Sequence, residues 1–337
     1  MSFDLSCHNT LGLIAKAETG HIITDEKSLR NVLLESGYSA SNTWILGGGS
    51  NVILTPEVRG QVLIIKTRGI SPVRVTRKDE SVLLTIAAGE NWHQLVRYTV
   101  AQGLYGLENL ALIPGSVGAA PVQNIGAYGI ELSSLLHGLR AMHRETGAIE
   151  LFDNAACCFA YRDSLFKRAG SPWIILDITL RLSLEPRFEL AYPELANEIE
   201  RRGATRVTGT EVMESIIAIR RRKMPDVREY GNAGSFFKNP LVEKNKMQNT
   251  LSLLPDIPVY PHGEKFKLSA ARLIDACNMK GLKIGAFAVW QRQPLVLVNM
   301  GKGTFKHLMH LSKIIQKGVM ERFGIELERE PGLIGSR

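Results

Sequence analysis

The chain has 337 residues, of which 45% are hydrophobic and 22% are charged. This composition is typical of a globular protein, and because the length exceeds what one hydrophobic core usually organises, we expect two domains. No apolar run reaches the roughly 18 residues of a membrane-spanning helix. The first residues also lack the basic flank and apolar stretch of a signal peptide. We therefore expect a cytoplasmic protein with no membrane insertion.

The chain carries 41 Lys and Arg residues against 33 Asp and Glu residues, a formal net charge of +8. Such a positive field favours anionic ligands without selecting one. The densest basic cluster, residues 220–223, closes a predicted helix, where cations interact favourably with the helix dipole. A solvated helix end is thus the alternative to a nucleic-acid site, and the sequence has no zinc-finger spacing, RNP-like aromatic stretch or basic tail. We expect no nucleic-acid partner.

The four cysteines, at positions 7, 157, 158 and 277, form no CxxC pair. The adjacent Cys157 and Cys158 make an implausible structural bridge. We expect reduced core thiols in a reducing compartment, and no bound metal.

The first half of the chain alternates helical and strand-like patterns, which indicates a mixed α/β organisation. Helices are predicted over 25–36 and 91–102, and strands over 43–46, 62–66, 73–77, 82–88, 138–143, 148–152 and 173–184. Thr146 and Gly147 predict a hairpin turn. In the last strand, apolar residues at 178, 180, 182 and 184 alternate with polar ones, which is typical of a half-buried strand.

Polar residues 185–187 end this strand, and we place a domain boundary there because proline does not extend a central strand. Thr208 and Glu211 fit a capping box that opens a helix through about residue 222. Further helices are predicted over 269–277 and 304–323, with strands over 286–290 and 295–299 and a strand ending at 327–331. The helix over 304–323 has one apolar face.

Two glycine-rich segments are candidates for a cofactor site. Residues 47–51, GGGSN, follow a strand, and three successive glycines can take positive φ and offer their amides to phosphate oxygens. The segment matches neither the dinucleotide fingerprint nor a Walker A loop, so an ordinary tight turn is the alternative. Residues 113–129 contain four glycines and three alanines between 115 and 129.

The second glycine-rich segment leaves little side chain to pack, which suits backbone lying against a large flat ligand. Gln123 and Asn124 would add amide hydrogen bonds. A crossing of small residues between packed elements is the alternative. A ligand with both a diphosphate and a broad ring would use both segments, and this combination suggests a dinucleotide.

Three polar segments are candidates for the reacting centre. Arg162, in YRDS, carries a guanidinium fork suited to a carboxylate, with a surface ion pair as the alternative. Ser235, in GNAGSFFKNP, does not fit the G-x-S-x-G elbow of hydrolases, so it is a general-acid candidate, or else a serine at a helix N-cap or in a turn. Glu328 and Glu330 share one face of the predicted strand, and one of them could point into a cleft.

Together these segments resemble the bacterial UDP-N-acetylenolpyruvoylglucosamine reductases of cell-wall precursor synthesis, and the resemblance runs nearly end to end. It is carried by GGGSN at 47–51, IPGSVGAAPVQNIGAYGIE at 113–131, YRDSLFK at 161–167, GNAGSFFKNP at 231–240 and LERE at 327–330. The resemblance implies a flavin-dependent UDP-N-acetylmuramate dehydrogenase of peptidoglycan synthesis, and hence a role in cell shape and division.

The same resemblance implies an α+β fold in two parts. Residues 1–186 would form an FAD-binding domain of the vanillyl-alcohol-oxidase (PCMH) type, with two α/β lobes at about 1–70 and 71–186. Residues 187–337 would form an α+β substrate-binding domain. We expect a monomer.

The resemblance also implies roles for single residues. FAD would contact Gly47, Gly48, Gly49, Ser50, Asn51, Pro114, Gly115, Ser116, Gly118, Ala119, Gln123, Asn124, Gly126 and Tyr128. Tyr192, Lys223 and Asn239 would bind the substrate, with Tyr192 capping its diphosphate as in the longer subtype. NADPH would reduce FAD, flavin N5 would pass hydride to the vinyl carbon, Arg162 and Glu330 would stabilise the resulting enolate, and Ser235 would deliver the proton.

The sequence departs from the family at two points. Glu330 is followed by Pro331 and Gly332 instead of valine and a basic residue, and Trp290 stands where the longer subtype commonly has histidine. Glu328 therefore remains a rival for the catalytic carboxylate. Two other functions stay open: another FAD-dependent oxidase or dehydrogenase of the same fold, and a non-catalytic nucleotide- or nucleic-acid-binding protein.

Overall fold

The computed structural model describes residues 2–76, 80–168, 170–203 and 206–335. The chain folds into two compact units. The first unit comprises Ala17–Gly48 and the described part of Arg59–Arg222, and the second comprises Ser2–Lys16, Gly49–Val58 and the described part of Lys223–Arg337. This division does not test the predicted domain boundary at residues 186 and 187, which stays a prediction.

The helices are α1 (Glu26–Leu33), α2 (Trp92–Ala101), α3 (Pro193–Arg201), α4 (Gly209–Lys223), α5 (Lys244–Leu253), α6 (Ala270–Ala276) and α7 (Phe305–Phe323). The strands are β1 (Phe3–Asp4), β2 (Lys16–Ile23), β3 (Thr43–Leu46), β4 (Val52–Leu54), β5 (Glu57–Ile65), β6 (Ile70–Thr76), β7 (Ser81–Ala87), β8 (Gly126–Ala127), β9 (Ile130–Glu131), β10 (Leu136–His143), β11 (Ile149–Asp153), β12 (Trp173–Ser183), β13 (Leu241–Val242), β14 (Val259–His262), β15 (Lys265–Leu268), β16 (Lys283–Ile284), β17 (Phe287–Val289), β18 (Leu297–Asn299) and β19 (Gly332–Ile334).

The first unit is built on a five-stranded antiparallel sheet in the order β11-β10-β12-β7-β6. In β12, Ile178, Leu180 and Leu182 are fully buried while Arg181 is exposed, as the alternating pattern predicts. A second sheet places β5 between β2 and β3, and β3 runs parallel to β5. Residues 174–178 are all buried, so the first half of β12 is covered on both faces and only its second half is half-buried as predicted.

Local capping explains where the helices of the first unit begin. The Asp25 carboxylate accepts the Ser28 amide at 2.6 Å at the start of α1. Asn91 caps α2 by accepting the Gln94 amide at 3.0 Å. The Thr208 hydroxyl accepts the Glu211 amide at 3.2 Å, which confirms the predicted start of α4.

The second unit has its own core, formed where α7 packs its apolar face. Leu308, Leu311, Ile315 and Val319 are fully buried together with Phe236 and Phe237. Two three-stranded sheets, β13-β15-β14 and β16-β17-β18, belong to this unit, and β19 pairs in parallel with β4. The predicted face of the last helix is thus confirmed.

Several predicted elements differ from the structure. Residues 327–331 do not form a strand, because only Arg329 makes an isolated bridge, to Phe237. The strand predicted over 73–77 is β6, Ile70–Thr76, and Arg77 lies outside the described residues. The strand predicted over 173–184 ends at Ser183, and Leu184 is partly exposed. Helices α3 and α5 and the β14-β15 hairpin were not predicted.

The four cysteines are free thiols, but Cys7 and Cys158 are exposed, so the prediction of core thiols is wrong for these two. Burial raises the pKa of Cys157 to about 12, so this thiol is protonated and inert. None of the helices in the described part of the chain has the length and apolar content needed to cross a membrane.

Candidate active site

Within the first unit, the two glycine-rich segments lie against each other. A Cβ atom on Gly47 would come within 2.2 Å of the Ser116 hydroxyl, and one on Gly48 within 2.8 Å of the Gly115 Cα. The Ser116 hydroxyl can rotate away, but the Gly115 backbone cannot, so the second distance is too short for a side chain at position 48. The two turns therefore cross through bare backbone at Gly48 and Gly115.

The second glycine-rich segment is also held tightly against β7. The Gly118 amide donates to the Ala88 carbonyl at 2.8 Å, and a Cβ on Gly118 would lie 2.4 Å from the Ala88 Cβ. Gly115 has a φ of 124° and Gly49 a φ of 64°. Gly47 and Gly48 do not take positive φ, so the expectation of three successive left-handed glycines is wrong. Close approach to the Gly115 backbone, and not turn geometry, requires glycine at 48.

This backbone cradle fits FAD. Peptide groups and small residues present hydrogen-bonding atoms without protruding side chains, which is what a diphosphate and a flat ring require. Ser116 is buried beside Gly47, whereas Pro114 is exposed and Ala119 and Gln123 are partly buried. Gly49, Ser50 and Asn51 belong to the second unit.

We expect Gly48→Ala to weaken FAD binding about tenfold or more, since inserting a methyl group against fixed backbone typically costs about 1–3 kcal/mol. The FAD content of purified protein and the Kd for added FAD measure this effect. Gly37→Ala is the control, because a Cβ there meets nothing within 4 Å. Full FAD affinity in Gly48→Ala would show that the crossing does not support the cofactor.

The turn that carries Arg162 is fixed to the glycine-rich segment. The Arg162 guanidinium donates to the Gly126 carbonyl at 2.8 Å. The Asn124 side-chain nitrogen donates to the Ala160 carbonyl at 3.3 Å and to the Glu131 carboxylate at 3.0 Å. The structure therefore brings together Arg162, Asn124 and Gly126, three residues predicted for one site.

Arg162 has unusual backbone geometry. Its φ is 55°, and Asn124 and Tyr128 also take left-handed conformations, with φ of 43° and 49°. Non-glycine residues in this region cost roughly 1–3 kcal/mol each and cluster at functional sites. The Lys167 ammonium donates to the Arg162 carbonyl at 2.9 Å and helps to hold the turn.

Tyr128 and Tyr192 meet in the first unit. Their rings are 5.1 Å apart in an edge-to-face arrangement. The Arg220 guanidinium interacts electrostatically with the Tyr128 hydroxyl. Burial raises the pKa of Tyr128 to about 12 and lowers the pKa of Arg220. A residue assigned to the cofactor and one assigned to the substrate are thus in direct contact.

Tyr192 is the residue immediately before α3, and a buried carboxylate ties α3 to α4. Glu198 is 3% exposed. Its Oε1 accepts a hydrogen bond from Arg201 at 2.7 Å, and its Oε2 accepts one from Arg222 at 2.7 Å. These hydrogen bonds, first from Arg201 and then from Arg222, lower the pKa of Glu198 to about 2. The network fixes the end of α4 relative to the helix that follows Tyr192. Arg222 therefore forms a structural ion pair with Glu198, which favours a structural role over ligand binding for this arginine of the basic cluster.

We expect Glu198→Gln to lower the free energy of unfolding at neutral pH by about 2 kcal/mol, the value of hydrogen bonds to a charged group. Because the pKa of Glu198 is depressed, its contribution is complete above the ordinary value of 4.5 and is lost as pH falls toward about 2. Urea unfolding of the wild type and of Glu198→Gln should give a difference in the free energy of unfolding that decreases only below about pH 4.5. Glu321→Gln, in an exposed pair with Lys317, is the control. A difference in the free energy of unfolding that increases in acid would contradict this account.

In the second unit, Ser235 lies in a loop fixed on both sides by backbone. Ser235 forms an isolated bridge with Val296, and the Phe236 amide donates to the Leu295 carbonyl at 2.7 Å. Gly234, with a φ of 68°, donates its amide to the Asn232 side chain at 3.1 Å. Ser235 is partly buried and does not cap a helix, so the capping alternative is wrong.

The two rival carboxylates have different surroundings. The Glu330 amide donates to the Phe236 carbonyl at 3.0 Å, so Glu330 pairs with the residue next to Ser235 and is partly buried. The Glu328 side chain is 71% exposed and accepts from the Lys238 ammonium at 2.5 Å. Of the two, Glu330 has the position beside the serine loop.

The remaining predicted substrate residues have structural contacts of their own. The Asn239 side-chain oxygen accepts the Ala270 amide at 3.0 Å at the start of α6. The Lys223 carbonyl accepts the Trp290 indole N–H at 3.0 Å. Trp290, the departure from the family pattern, thus contacts the backbone of a predicted substrate residue.

Sequence reasoning missed three polar residues around the first-unit site. His93 Nδ1 accepts the Leu112 amide at 3.0 Å, just before the second glycine-rich segment, and burial followed by Arg97 lowers its pKa. Glu108 and Asn109 are buried beside the same segment, and burial raises the pKa of Glu108. Glu108 and Asn109 are the polar residues of an otherwise apolar stretch over 107–113, but this pattern does not distinguish a functional site from an ordinary loop.

Comparison with known proteins identifies both parts of the chain. Residues 22–151 match the FAD binding domain family, and residues 226–334 match the UDP-N-acetylenolpyruvoylglucosamine reductase, C-terminal domain family. The solved UDP-N-acetylenolpyruvylglucosamine reductase (MurB) from Thermus caldophilus has a similar fold, with a TM-score of 0.67 over 99% of this chain and all of that one at 23% identity. The predicted α+β fold class, with an FAD-binding domain of the PCMH type, is confirmed.

Relatives named UDP-N-acetylenolpyruvoylglucosamine reductase match at higher identity. That from Ralstonia nicotianae is 43% identical over 98% of both chains. That from Paraburkholderia phytofirmans is 45% identical over 98% of this chain and 96% of the relative, and that from Pseudomonas putida is 41% identical over 98% and 97%. Together with the matched FAD-binding domain, these similarities show that the chain belongs to the UDP-N-acetylenolpyruvoylglucosamine reductase family of FAD-dependent oxidoreductases.

Proposed function

We propose that the protein uses NADPH to reduce UDP-N-acetylglucosamine enolpyruvate to UDP-N-acetylmuramate in peptidoglycan precursor synthesis. The observation that carries the proposal is the Arg162 guanidinium fixed at the Gly126 carbonyl, on the glycine-rich segment that fits FAD. A cation held beside the cofactor segment suits an anionic substrate. The names of the relatives support the same substrate class.

FAD is held, in this proposal, by the backbone cradle and its neighbours. The residues are Gly47, Gly48, Gly49, Ser50, Asn51, Pro114, Gly115, Ser116, Gly118, Ala119, Gln123, Asn124, Gly126 and Tyr128. The bound flavin supplies the hydride chemistry, accepting hydride from NADPH and passing it from N5 to the vinyl carbon. The protein supplies position and electrostatics.

Arg162 and Glu330 stabilise charge as the substrate is reduced. Hydride addition places negative charge on the carbon next to the carboxylate, and this charge spreads into the carboxylate as an enolate. The planar Arg162 fork matches a carboxylate in a way that a point charge does not. Its strained, pinned turn preorganises the cation, which is where electrostatic catalysis is most effective.

Ser235 delivers the proton that completes the reaction. A serine hydroxyl is a weak acid, so its neighbours must hold and reload its proton. The backbone contacts on both sides of Ser235 support a fixed donor, and Glu330 is the nearer of the two carboxylates along the paired segments. This contrast with the exposed, ion-paired Glu328 favours Glu330 as the assisting carboxylate.

Tyr192, Lys223 and Asn239 bind the substrate in this proposal, with Tyr192 capping the diphosphate. A phenol hydroxyl and an ammonium are suitable donors to phosphate oxygens. The net charge of +8 favours the approach of this anionic nucleotide. We place the reaction in the cytoplasm and expect a monomer to carry it out.

The proposed reaction is tested by incubating the protein with FAD, NADPH and the enolpyruvyl sugar nucleotide, and analysing the product by mass spectrometry. We expect NADPH oxidation that requires the sugar nucleotide, and a product that has gained two hydrogens. Peroxide production without a reduced sugar nucleotide would instead indicate an oxidase of the same fold. A protein that stays colourless after addition of FAD would indicate a non-catalytic binding protein.

A further inference from the structure

Asn109 is a buried polar residue of the first unit with no assigned role in the proposed reaction. It is 3% exposed and lies in the 3-10 helix Glu108–Leu110. Its side-chain nitrogen donates two hydrogen bonds, one to the Tyr128 carbonyl at 2.8 Å and one to the Glu189 carbonyl at 2.9 Å. One amide group therefore ties together two segments that are distant in the sequence.

Each of the two segments carries an aromatic ring of the candidate site. Tyr128 lies at the end of the second glycine-rich segment, and Tyr192 follows Glu189 by three residues. A short turn links Glu189 to Tyr192, because the Ala191 amide donates to the Glu189 carboxylate at 2.9 Å. The two rings then meet edge to face at 5.1 Å. Fixing the two carbonyls thus fixes the geometry of the ring pair.

The conformations of Tyr128 and of the segment before Tyr192 need contacts from elsewhere in the chain to hold them. Tyr128 has a φ of 49°, a conformation that non-glycine residues rarely adopt. The segment before Tyr192 has no regular secondary structure over residues 184–191. A primary amide with two N–H groups satisfies both carbonyls at once, which a hydroxyl or a carboxylate does not.

We propose that Asn109 is a positioning residue that holds Tyr192 against the glycine-rich segment and thereby sets the affinity for the diphosphate of the sugar nucleotide. The inference rests on the proposed role of Tyr192. Asn109 acts through the backbone of residues 128 and 189 and does not touch the substrate.

The structural half of the inference is tested by Asn109→Leu, which keeps the volume and removes both donors. Hydrogen exchange followed by mass spectrometry should show faster exchange over residues 188–192. Asn154→Leu is the matched control, since the Asn154 side-chain nitrogen also donates to two carbonyls, of Ser133 at 2.6 Å and Leu136 at 2.9 Å. Unchanged exchange over 188–192 in Asn109→Leu overturns the inference.

The functional half is tested by the Kd and KM for the sugar nucleotide. We expect Asn109→Leu to raise both about tenfold, which corresponds to about 1.4 kcal/mol, with kcat and the reduction of FAD by NADPH nearly unchanged. Removing uniform binding has this signature. Asn154→Leu should leave all four quantities near the wild-type values.

A double variant distinguishes action through Tyr192 from general loosening. If Asn109 acts through Tyr192, the Asn109→Leu/Tyr192→Phe protein binds the sugar nucleotide no more weakly than Tyr192→Phe alone. If the losses of sugar-nucleotide binding free energy in the two single variants add up in the double variant, the inference is overturned. Normal binding by Tyr192→Phe refutes the proposed role of Tyr192, whereas weak binding by Tyr192→Phe with normal binding by Asn109→Leu refutes only the positioning role.

Asn109→Ser provides a second variant if Asn109→Leu does not fold, because a hydroxyl keeps one donor. We expect a smaller rise in Kd and in exchange over 188–192 than the loss of both donors causes. Wild-type values for both quantities in Asn109→Ser overturn the inference.

Discussion

Replacing Ser235 by alanine is expected to slow reduction of the enolpyruvyl group by roughly 10²- to 10⁴-fold, the usual contribution of a general acid, while NADPH still reduces the flavin at the normal rate. The reason is that the hydroxyl is proposed to serve only the second half of the reaction. The loop should keep its shape, because the bridge to Val296 and the Phe236–Leu295 hydrogen bond use backbone atoms. Stopped-flow absorbance of the two half-reactions measures both rates separately.

Ser269→Ala is the control for the loss of a serine in the second unit. The Ser269 hydroxyl caps α6 by accepting the Arg272 amide at 3.3 Å. Its removal should lower stability by about 1 kcal/mol and leave both half-reactions unchanged. If Ser235→Ala slows the two half-reactions equally, or slows neither, Ser235 is not the proton donor.

Arg162→Lys is expected to reduce kcat/KM by about 10- to 100-fold although the charge is retained, since hydrogen bonds to a charged group are worth about 1.5–3 kcal/mol. A lysine ammonium does not reproduce the planar fork that contacts a carboxylate and also donates to the Gly126 carbonyl. The left-handed φ of 55° is equally strained for both residues, so the backbone cost does not change. Steady-state kinetics with the sugar nucleotide measures the effect.

Arg168→Lys is the control for this substitution, because Arg168 is exposed and lies six residues further along the same segment. It should leave kcat/KM unchanged. Wild-type kinetics in Arg162→Lys would refute bidentate recognition of the carboxylate.

The sequence predicted those elements whose burial pattern is regular. The second half of β12 and the helix α7 bury one face each, so periodicity located both elements within one or two residues. The hairpin between β10 and β11 was predicted from its turn, where Gly147 takes a φ of 69°. The segment over 327–331 was misread because its order comes from two backbone hydrogen bonds with residues 236–238, which form an isolated bridge and not a sheet.

The candidate site was predicted in part for a physical reason. Glycines that a Cβ would push into neighbouring backbone, such as Gly48 and Gly118, have no substitute, so their pattern is visible in one sequence. The hydrogen bond from Arg162 to the Gly126 carbonyl joins residues far apart in the chain, and the sequence did not predict it.

Positioning residues were beyond sequence reasoning because their role depends on contacts. Asn109 and Glu198 are single polar residues whose partners, the Tyr128 and Glu189 carbonyls or the Arg222 guanidinium, come from other segments. Only the fold brings these partners together. Local sequence therefore offered candidates for ligand contact but none for the residues that orient them.

The most direct test of the account is the visible absorption spectrum of the purified protein under anaerobic conditions, first with NADPH and then with the enolpyruvyl sugar nucleotide. We predict an oxidised-flavin band that NADPH bleaches and that the sugar nucleotide restores without oxygen. A band that stays bleached until oxygen is admitted, or its absence from protein that has been incubated with FAD and then freed of unbound FAD, would contradict flavin-mediated transfer of hydride from NADPH to this substrate.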